Sequence, residues 1–344
     1  MSGFDAYPRL CAAMARGRAF LGSEVAMMAG AMTWVSEHRL VAAISNAGGF
    51  GVLACGAMDP GQLEAEIAAT HRLTDRPFGV NLIVLHPELE TLVDVCIRAG
   101  VGHVVLAGGM PSREVVARLA RAGARVLAFA PSLALARRLV RMGVHALIIE
   151  GSEAGGHIGP VSTSVLAQEI LPHLREVPVF VAGGIGHGEM IAAYLGMGAA
   201  GVQMGTIFVC AEESVAHPRF KQAFVRASAR DAVPSVQVDP DFRVVPVRAL
   251  QNEATKDFVR TQLEVVARYR AGELSYEEAS LTIEHFWAGA LRRAVVEGDV
   301  ERGSLMAGQS VGMVSSIRPV REILHELADQ AERALARRGQ MGGG

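Results

Sequence analysis

From Val25 to Phe208, short apolar runs alternate with longer stretches in which apolar residues recur every three to four positions. That alternation marks repeated strand–helix units. The runs predict strands at Val25–Met28, Gly51–Ala54, Gly79–Val84, His103–Ala107, Arg125–Ala130, Ala146–Glu150, Val177–Val181 and Gly201–Met204. The stretches between them predict helices near Glu37–Asn46, Gly61–Arg72, Glu88–Ala99, Ser112–Ala122, Ser132–Met142, Ser164–Arg175 and Glu189–Met197. Eight strands with intervening helices predict an α/β chain, a TIM-type (β/α)8 barrel with a C-terminal helical cap. An open doubly wound sheet is the alternative, but the G-x-G-x-x-G turn such sheets commonly carry stands at no strand–helix junction.

After Phe208 the rhythm breaks. A helix is predicted at Ser214–Ala227, then a segment Asp231–Val245, helices near Ala249–Ala271 and Tyr276–Val296, a glycine-rich run Gly303–Val314, and an amphipathic helix from Val320 to about Arg337. The domain reading is therefore a barrel over 1–213 whose final helix extends to about 228, a mostly helical cap or lid over 229–320, and a C-terminal helix over 321–344 with Gln340–Gly344 frayed.

Composition narrows the chemistry. Half of the 344 residues are apolar, a fifth are charged, and the net charge is −2, which excludes a disordered chain and the basic excess of a nucleic-acid binder. Cys11, Cys55, Cys96 and Cys210 lie far apart, so neither a disulfide framework nor a metal site is expected. Asp5, Arg9, Arg16 and Arg18 interrupt the N-terminal apolar residues, unlike a signal peptide, and glycines break the run Leu40–Met58, which reads as helix, turn and strand instead of a membrane span. A cytoplasmic protein is the expectation. Lys221 and Lys256 are the only lysines and neither ends a predicted strand, which disfavours Schiff-base and P-loop chemistry.

In such barrels function gathers at the C-terminal strand ends, with phosphate often held after strands seven and eight. Strand seven runs into Ala182-Gly183-Gly184-Ile185-Gly186, and strand eight into Gln203-Met204-Gly205-Thr206. Both place bare backbone N–H groups where a phosphate can approach, and Thr206 adds a hydroxyl. After strand six, Glu150-Gly151-Ser152-Glu153-Ala154-Gly155-Gly156-His157 sets a histidine on a glycine-rich loop. It reads either as an acid–base group or as a structural side chain. Glu150 and Glu153 read either as orienting the loop or as solvated carboxylates, His187 and His217 as surface positions, Cys55 as core packing, and Met27, Met28 and Met32 either as the lining of an apolar pocket or as core filling. Asn81 either projects its amide into the mouth or caps a strand end.

Taken in order, Gly30-Ala31-Met32, Asn46-Ala47-Gly48-Gly49-Phe50-Gly51, Phe78-Gly79-Val80-Asn81, Glu153-Ala154-Gly155-Gly156-His157, Ala182-Gly183-Gly184-Ile185, Gln203-Met204-Gly205-Thr206 and Met306-Ala307-Gly308-Gln309 resemble the nitronate monooxygenase (2-nitropropane dioxygenase) family and its close relative, the FMN-dependent enoyl-acyl-carrier-protein reductase. The similarity runs from about Val25 to Leu327. It implies an FMN-containing barrel, with the phosphate on Gly183, Gly184, Gly205 and Thr206 and ring contacts on Gly30, Ala31, Met32, Asn81 and Gln203. Gly155, Gly156 and Ala182 adjoin these, Gly308 and Gln309 match a C-terminal segment that returns to the mouth, and His157 matches the histidine beside the flavin. Ala29, Ala26, Ile207 and Met110 stand where the family often has Gln, Pro, Arg and Asn, which makes this mouth more apolar.

The resemblance leaves two flavin readings. The first is oxidation of an alkyl nitronate by O2 to a carbonyl compound and nitrite. The second is NAD(P)H-dependent reduction of an enoyl thioester, with NAD(P)H as co-substrate and, in that reading alone, an acyl carrier protein as partner, which Arg137, Arg138 and Arg141 would attract. The partner is otherwise a small-molecule substrate, without nucleic acid or membrane, and a homodimer is compatible. A non-catalytic phosphate-ligand-binding barrel is the reading outside enzymology.

Overall fold

A computed structural model describes residues 3–341. Two short helices, α1 (Pro8–Ala13) and α2 (Ala15–Leu21), precede strand β1 (Met27–Ala29). Then α3 (His38–Asn46), β2 (Phe50–Ala54), α4 (Pro60–Leu73), β3 (Gly79–Ile83), α5 (Leu89–Arg98), β4 (His103–Ala107), α6 (Arg113–Arg121), β5 (Arg125–Phe129), α7 (Leu133–Met142) and β6 (Ala146–Glu150) alternate. A two-residue strand β7 (Gly156–His157) interrupts the pattern before α8 (Thr163–Ile170), β8 (Val179–Ala182), α9 (Gly188–Gly196), β9 (Gly201–Met204) and the single turn α10 (Thr206–Val209). β1 to β6, β8 and β9 close a parallel eight-stranded barrel, β9 pairing back onto β1. The predicted strands and helices of this region are all present, with ends moved by a few residues.

Local chemistry explains the helix starts. Ser112 and Ser132 accept from the N–H groups of Val115 and Leu135, and Asp59 and Gln62 close a capping box at α4, each satisfying orphan N–H groups of a first turn. Along the strands the register places Met28, Phe50, Asn81, Val105, Leu127, Ile148, Glu150, Ala182 and Gln203 on one face of the sheet. That face is the interior. Phe50 and His103, on non-adjacent strands, have ring centroids 4.9 Å apart, and Phe20 of α2 meets both His103 and Phe180. Phe20 therefore helps close the N-terminal end, which leaves the C-terminal end for a ligand.

Beyond the barrel come α11 (Pro218–Arg226), β10 (Ala232–Pro234), β11 (Val247–Leu250), α12 (Glu253–Arg270), α13 (Tyr276–Val295), β12 (Leu305–Met306) and α14 (Val320–Met341). Three expectations are corrected here. The helix expected from Ala249 begins at Glu253, because Val247–Leu250 forms β11, and Asn252 with Thr255 closes a capping box at the true start. The helix expected to reach Arg175 ends at Ile170. The helix expected to end near Arg337 continues through Met341, so Gln340 and Met341 are helical, while residues 342–344 of the predicted frayed tail lie outside the described residues. A small sheet was also unforeseen: β11 pairs antiparallel with β10 on one side and, end to end, with β7 and β12 on the other. α12 and α13 enclose their own apolar cluster around Phe242, Phe258, Val265, Ile283 and Trp287, and α14 packs along α9 and α1. Among the described residues no helix is long and apolar enough to cross a membrane.

Candidate functional site

Four glycine-containing segments converge at the C-terminal strand ends. Gly151 N–H donates to the Ala182 carbonyl at 3.2 Å, Gln309 N–H to the Glu153 carbonyl at 2.9 Å, and Gly308 N–H to Thr206 Oγ1 at 3.0 Å. The approach is close: a Cβ on Gly155 would lie 2.6 Å from Gly308 N, and one on Gly308 would lie 2.8 Å from the Glu153 carbonyl. Gly183 and Gly184 hold φ of 92° and 74°, a left-handed conformation that costs an L-residue with a side chain about 1–2 kcal/mol. Gly155, Ala182, Gly183, Gly184, Thr206, Gly308 and Gln309 are thus brought together, with bare backbone at the cradle and one hydroxyl beside it.

A second group sits alongside. Gly30 N–H donates to the Met204 carbonyl at 2.9 Å, and the Gln203 side chain fills the space a Gly30 Cβ would enter, 3.1 Å away. Met32 reaches over Gly205, its sulfur 3.4 Å from where a Cβ would stand, and Ser36 ties Met32 N–H to the Gly30 carbonyl through its hydroxyl, with Ala31 between them. Gln203 is 6% exposed and its amide forms no hydrogen bond among the described residues. Asn81 is equally buried and turns inward from the middle of β3, where its Nδ2 donates to the Val105 carbonyl at 3.2 Å. Its side chain lies on the interior face of the barrel and does not stand at a strand end. A buried amide lacking a partner costs about 1–3 kcal/mol, so Gln203 suits a polar ligand in the mouth, whereas Asn81 has already spent one N–H on the neighbouring strand.

Of the two glutamates after β6, Glu153 follows the loop-orienting reading, and Glu150 departs from the solvated one. Glu153 Oε2 accepts from Thr163 N–H at 2.8 Å and from Thr163 Oγ1 at 3.0 Å, so it pins the loop to the start of α8. Glu150 ends β6 on the interior face, and its carboxyl has no hydrogen-bond or ion-pair partner among the described residues. The residue is partly open to the mouth, but protein surrounds the carboxyl and burial pushes it up to about 7. Cys55 fits its core reading: its sulfur donates to the Asn81 carbonyl, and burial pushes the thiol up to about 12.

His157 lies apart from the cradle. It belongs to β7, opposite Val247 of β11, and its Nε2 lies 3.1 Å from Glu284 Oε2 on α13, with both side chains nearly half exposed. Gly156, beside it at φ 75°, pairs with Arg248. The β7–β11 pairing therefore ties the histidine loop to the cap. His187 is exposed at the start of α9, and His217 is half-buried at the start of α11.

Three contributors had no signal in the sequence. Arg248 is 7% exposed; its Nε donates to the Ser152 carbonyl at 2.8 Å and its Nη1 to the Ala232 carbonyl at 2.5 Å, so it clamps the loop to β10. Trp34, in the loop after β1, holds φ 67° and lies 5.9 Å from the Arg292 guanidinium of α13, a backbone strain of the kind concentrated at functional sites. Glu284 comes from a cap helix far away in the chain. Away from the mouth, Glu37, His38 and Glu66 bring ligand-type atoms within 4.8 Å of one another, a trio that spacing conceals because Glu66 belongs to α4.

The sequence profile described as nitronate monooxygenase matches residues 18–330. The chain is 31% identical to the (3aS,4S,5R,7aS)-5-hydroxy-7a-methyl-1-oxo-octahydro-1H-indene-4-carboxyl-CoA dehydrogenase of Mycobacterium tuberculosis, over 89% of this chain and 93% of that one. It superimposes on FabK from Thermotoga maritima with a TM-score of 0.85 and 37% identity, covering 94% of this chain and 98% of that chain. The nitroalkane oxidase of Streptomyces ansochromogenes aligns with a TM-score of 0.74 and 28% identity over 90% and 96% of the two chains. With a barrel of matching architecture and a profile match over most of its length, this chain is an oxidoreductase of the nitronate monooxygenase family.

Proposed function

We propose that the protein is an FMN-dependent oxidoreductase that reduces an unsaturated acyl thioester at the expense of NAD(P)H. The observation that carries the flavin is the cradle: Gly155, Gly183, Gly184, Thr206 and Gly308 converge beside the inward, unpartnered amide of Gln203. The glycines leave backbone N–H groups for a phosphate monoester, Thr206 keeps its hydroxyl proton free while accepting from Gly308 N–H, and Asn81 and Gln203 offer donor and acceptor atoms to a flat heterocycle. The group therefore fits these residues. When bound, FMN supplies a two-electron carrier that can take hydride from NAD(P)H and deliver it to an electrophilic carbon.

This chain's own residues would do the rest. The pairing of β7 with β11 holds the glycine-rich loop against the cap. Glu284 accepts from His157 Nε2–H, which leaves Nδ1 facing elsewhere; in the imidazolium form Nδ1–H would donate a proton to the substrate α-carbon or hydrogen-bond the thioester oxygen. Because both side chains are half exposed, the ion pair itself is worth no more than about 1 kcal/mol and acts by aiming the ring.

The likeness to FabK, an enoyl-acyl-carrier-protein reductase, and to a CoA-thioester dehydrogenase supports the thioester substrate. This reverses the order in which the two flavin readings stand from sequence alone. Arg138 and Arg141 add to it, since together with Arg113 they line a surface hollow of about 270 Å3, a surface suited to an acidic carrier. Nitronate oxidation is the second reading, favoured by the family profile and the Streptomyces relative. Anaerobic mixing of the FMN-loaded protein with NADH, NADPH or an alkyl nitronate, followed by flavin absorbance, separates them. Bleaching by a nicotinamide and reoxidation by an enoyl thioester is the expected result, and bleaching by the nitronate alone overturns the thioester reading.

A further inference from the structure

On the flank of the barrel, one side-chain cluster is assembled from two separate elements. Glu37 caps the start of α3, His38 opens that helix, and Glu66 reaches both from α4. His38 Nδ1 lies 3.0 Å from Glu37 Oε2, and 3.1 and 3.0 Å from Oε1 and Oε2 of Glu66. Each carboxylate is also anchored on the first turn of α3: Glu37 Oε1 accepts from the N–H groups of Arg39 and Leu40, and Glu66 Oε2 from that of His38. Glu37 Oε2 and Glu66 Oε1 are left to face the ring nitrogen, and each residue sets one ligand-type atom within 4.8 Å of those of the other two.

The charges of this cluster do not balance. A ring nitrogen carries one proton at most, so Nδ1 donates to one carboxylate at a time. With the ring neutral, the two carboxylates are offset only by the N-terminal dipole of α3, equivalent to roughly half a charge. Neither glutamate has a Lys or Arg partner among the described residues, although Glu64 on the same helix pairs with Arg98, and Glu24 pairs with Arg76. Arg39, next in the chain, is exposed and forms no ion pair among the described residues. Side-chain exposures of 16% for Glu37, 26% for His38 and 23% for Glu66 leave the surplus negative charge partly shielded from water yet within reach of a cation.

The donor set decides which cation. An imidazole nitrogen between carboxylate oxygens suits a divalent transition metal, whereas calcium and magnesium take oxygen ligands. Around tetrahedral zinc, with bonds of about 2.0–2.1 Å, neighbouring ligand atoms stand about 3.3 Å apart. Nδ1 is already close to that distance from each carboxylate. The backbone N–H groups on the remaining carboxylate oxygens supply the outer shell that orients such ligands.

We propose that Glu37, His38 and Glu66 form a binding site for one divalent transition-metal cation of the zinc class, which staples the loop after β1 to α4. Ser36, adjacent to Glu37, bonds Met32 N–H and the Gly30 carbonyl through its hydroxyl, so the staple adjoins the segment that shapes the β1 side of the mouth. The site uses no residue of the cradle and stands or falls independently of the flavin.

The test is competition for Zn2+ between a chromophoric chelator and the full chain, previously dialysed against a chelator, for the wild type, Glu66→Gln and His38→Asn. The wild type is expected to take up one equivalent and to melt at a higher temperature with zinc. Each variant is expected to bind more weakly by at least the 10- to 100-fold that loss of an outer-shell partner costs, and to melt at the same temperature with and without zinc. The other histidines and the four cysteines are common to all three proteins and give the background. Absence of a saturable equivalent in the wild type overturns the proposal, as does wild-type affinity in either variant, which would mean an adventitious ion only. Should a variant fail to fold, copper-catalysed oxidation of the wild type with peptide mass mapping decides. Oxidation at His38 that zinc suppresses supports the site, and a His38 left unmodified, or modified equally with and without zinc, refutes it.

Discussion

Replacing Thr206 by Val tests the cradle with little change of volume. In the wild type the Thr206 hydroxyl, 9% exposed, accepts from Gly308 N–H at 3.0 Å and keeps its own proton to donate. Valine removes both functions. The Gly308 N–H, buried against Glu153 and Gly155, is left without a partner, at a cost of about 1–3 kcal/mol in the flavin-free protein. If the hydroxyl also donates to a phosphate oxygen, a charge-assisted bond of about 1.5–3 kcal/mol goes too, or roughly 10- to 150-fold in FMN affinity. Thr206→Ser should restore both. Thermal unfolding of flavin-free protein reads the first term, and quenching of FMN fluorescence on titration reads the second. A Thr206→Val protein that melts below the wild type yet binds FMN equally well would remove the hydroxyl from the phosphate site. One that matches the wild type in both would refute the reasoning as a whole.

The other predictions address single terms. Replacing His157 by Asn should lower turnover roughly 10²- to 10⁴-fold while flavin stays bound; unchanged turnover removes the ring from proton transfer. Gly184→Val should lower FMN occupancy, because it sets a side chain at φ 74° with its Cβ 3.0 Å from that of Glu153, and full occupancy measured by absorbance ratio would contradict the placement. Burial depresses His103 to about 4 from an ordinary 6.5, its Nε2 bonded to the Phe20 carbonyl. The unfolded chain therefore takes up the proton first: stability is complete above pH 6.5 and falls as the pH drops toward 4, by about 3 kcal/mol at most. Urea unfolding of the wild type and His103→Gln at pH 7 and pH 5 should show the variant losing less between the two, and equal losses would assign the acid sensitivity elsewhere.

The barrel is legible in the chain because each strand is a short apolar run followed by a helix with its own cap, as at Ser112 and Ser132. Local periodicity and capping are properties of neighbouring residues. The cradle is legible for a related reason: glycines after strand ends stand out where Cβ atoms cannot be accommodated, as at Gly183, Gly184 and Gly308. β11 was hidden because Ala249 and Leu250 suit a helix as well as a strand, and only pairing with β10, β7 and β12 settles them as extended.

Sequence by itself determined the order of the barrel's eight strands and the helices between them, the glycine positions, and the presence of Asn81 on the third strand and of Gln203 and Thr206 near the end of the eighth, since all of these follow from residues close together in the chain. Tertiary structure alone decided which face of β6 carries Glu150, that Glu153 holds Thr163, that Arg248 clamps the loop from a cap strand, and that His157 is aimed by Glu284. The physical reason is closure. A hydrogen bond between residues 127 positions apart, or the inward side of a barrel strand, exists only once eight strands have joined end to end and the cap has docked on their rim.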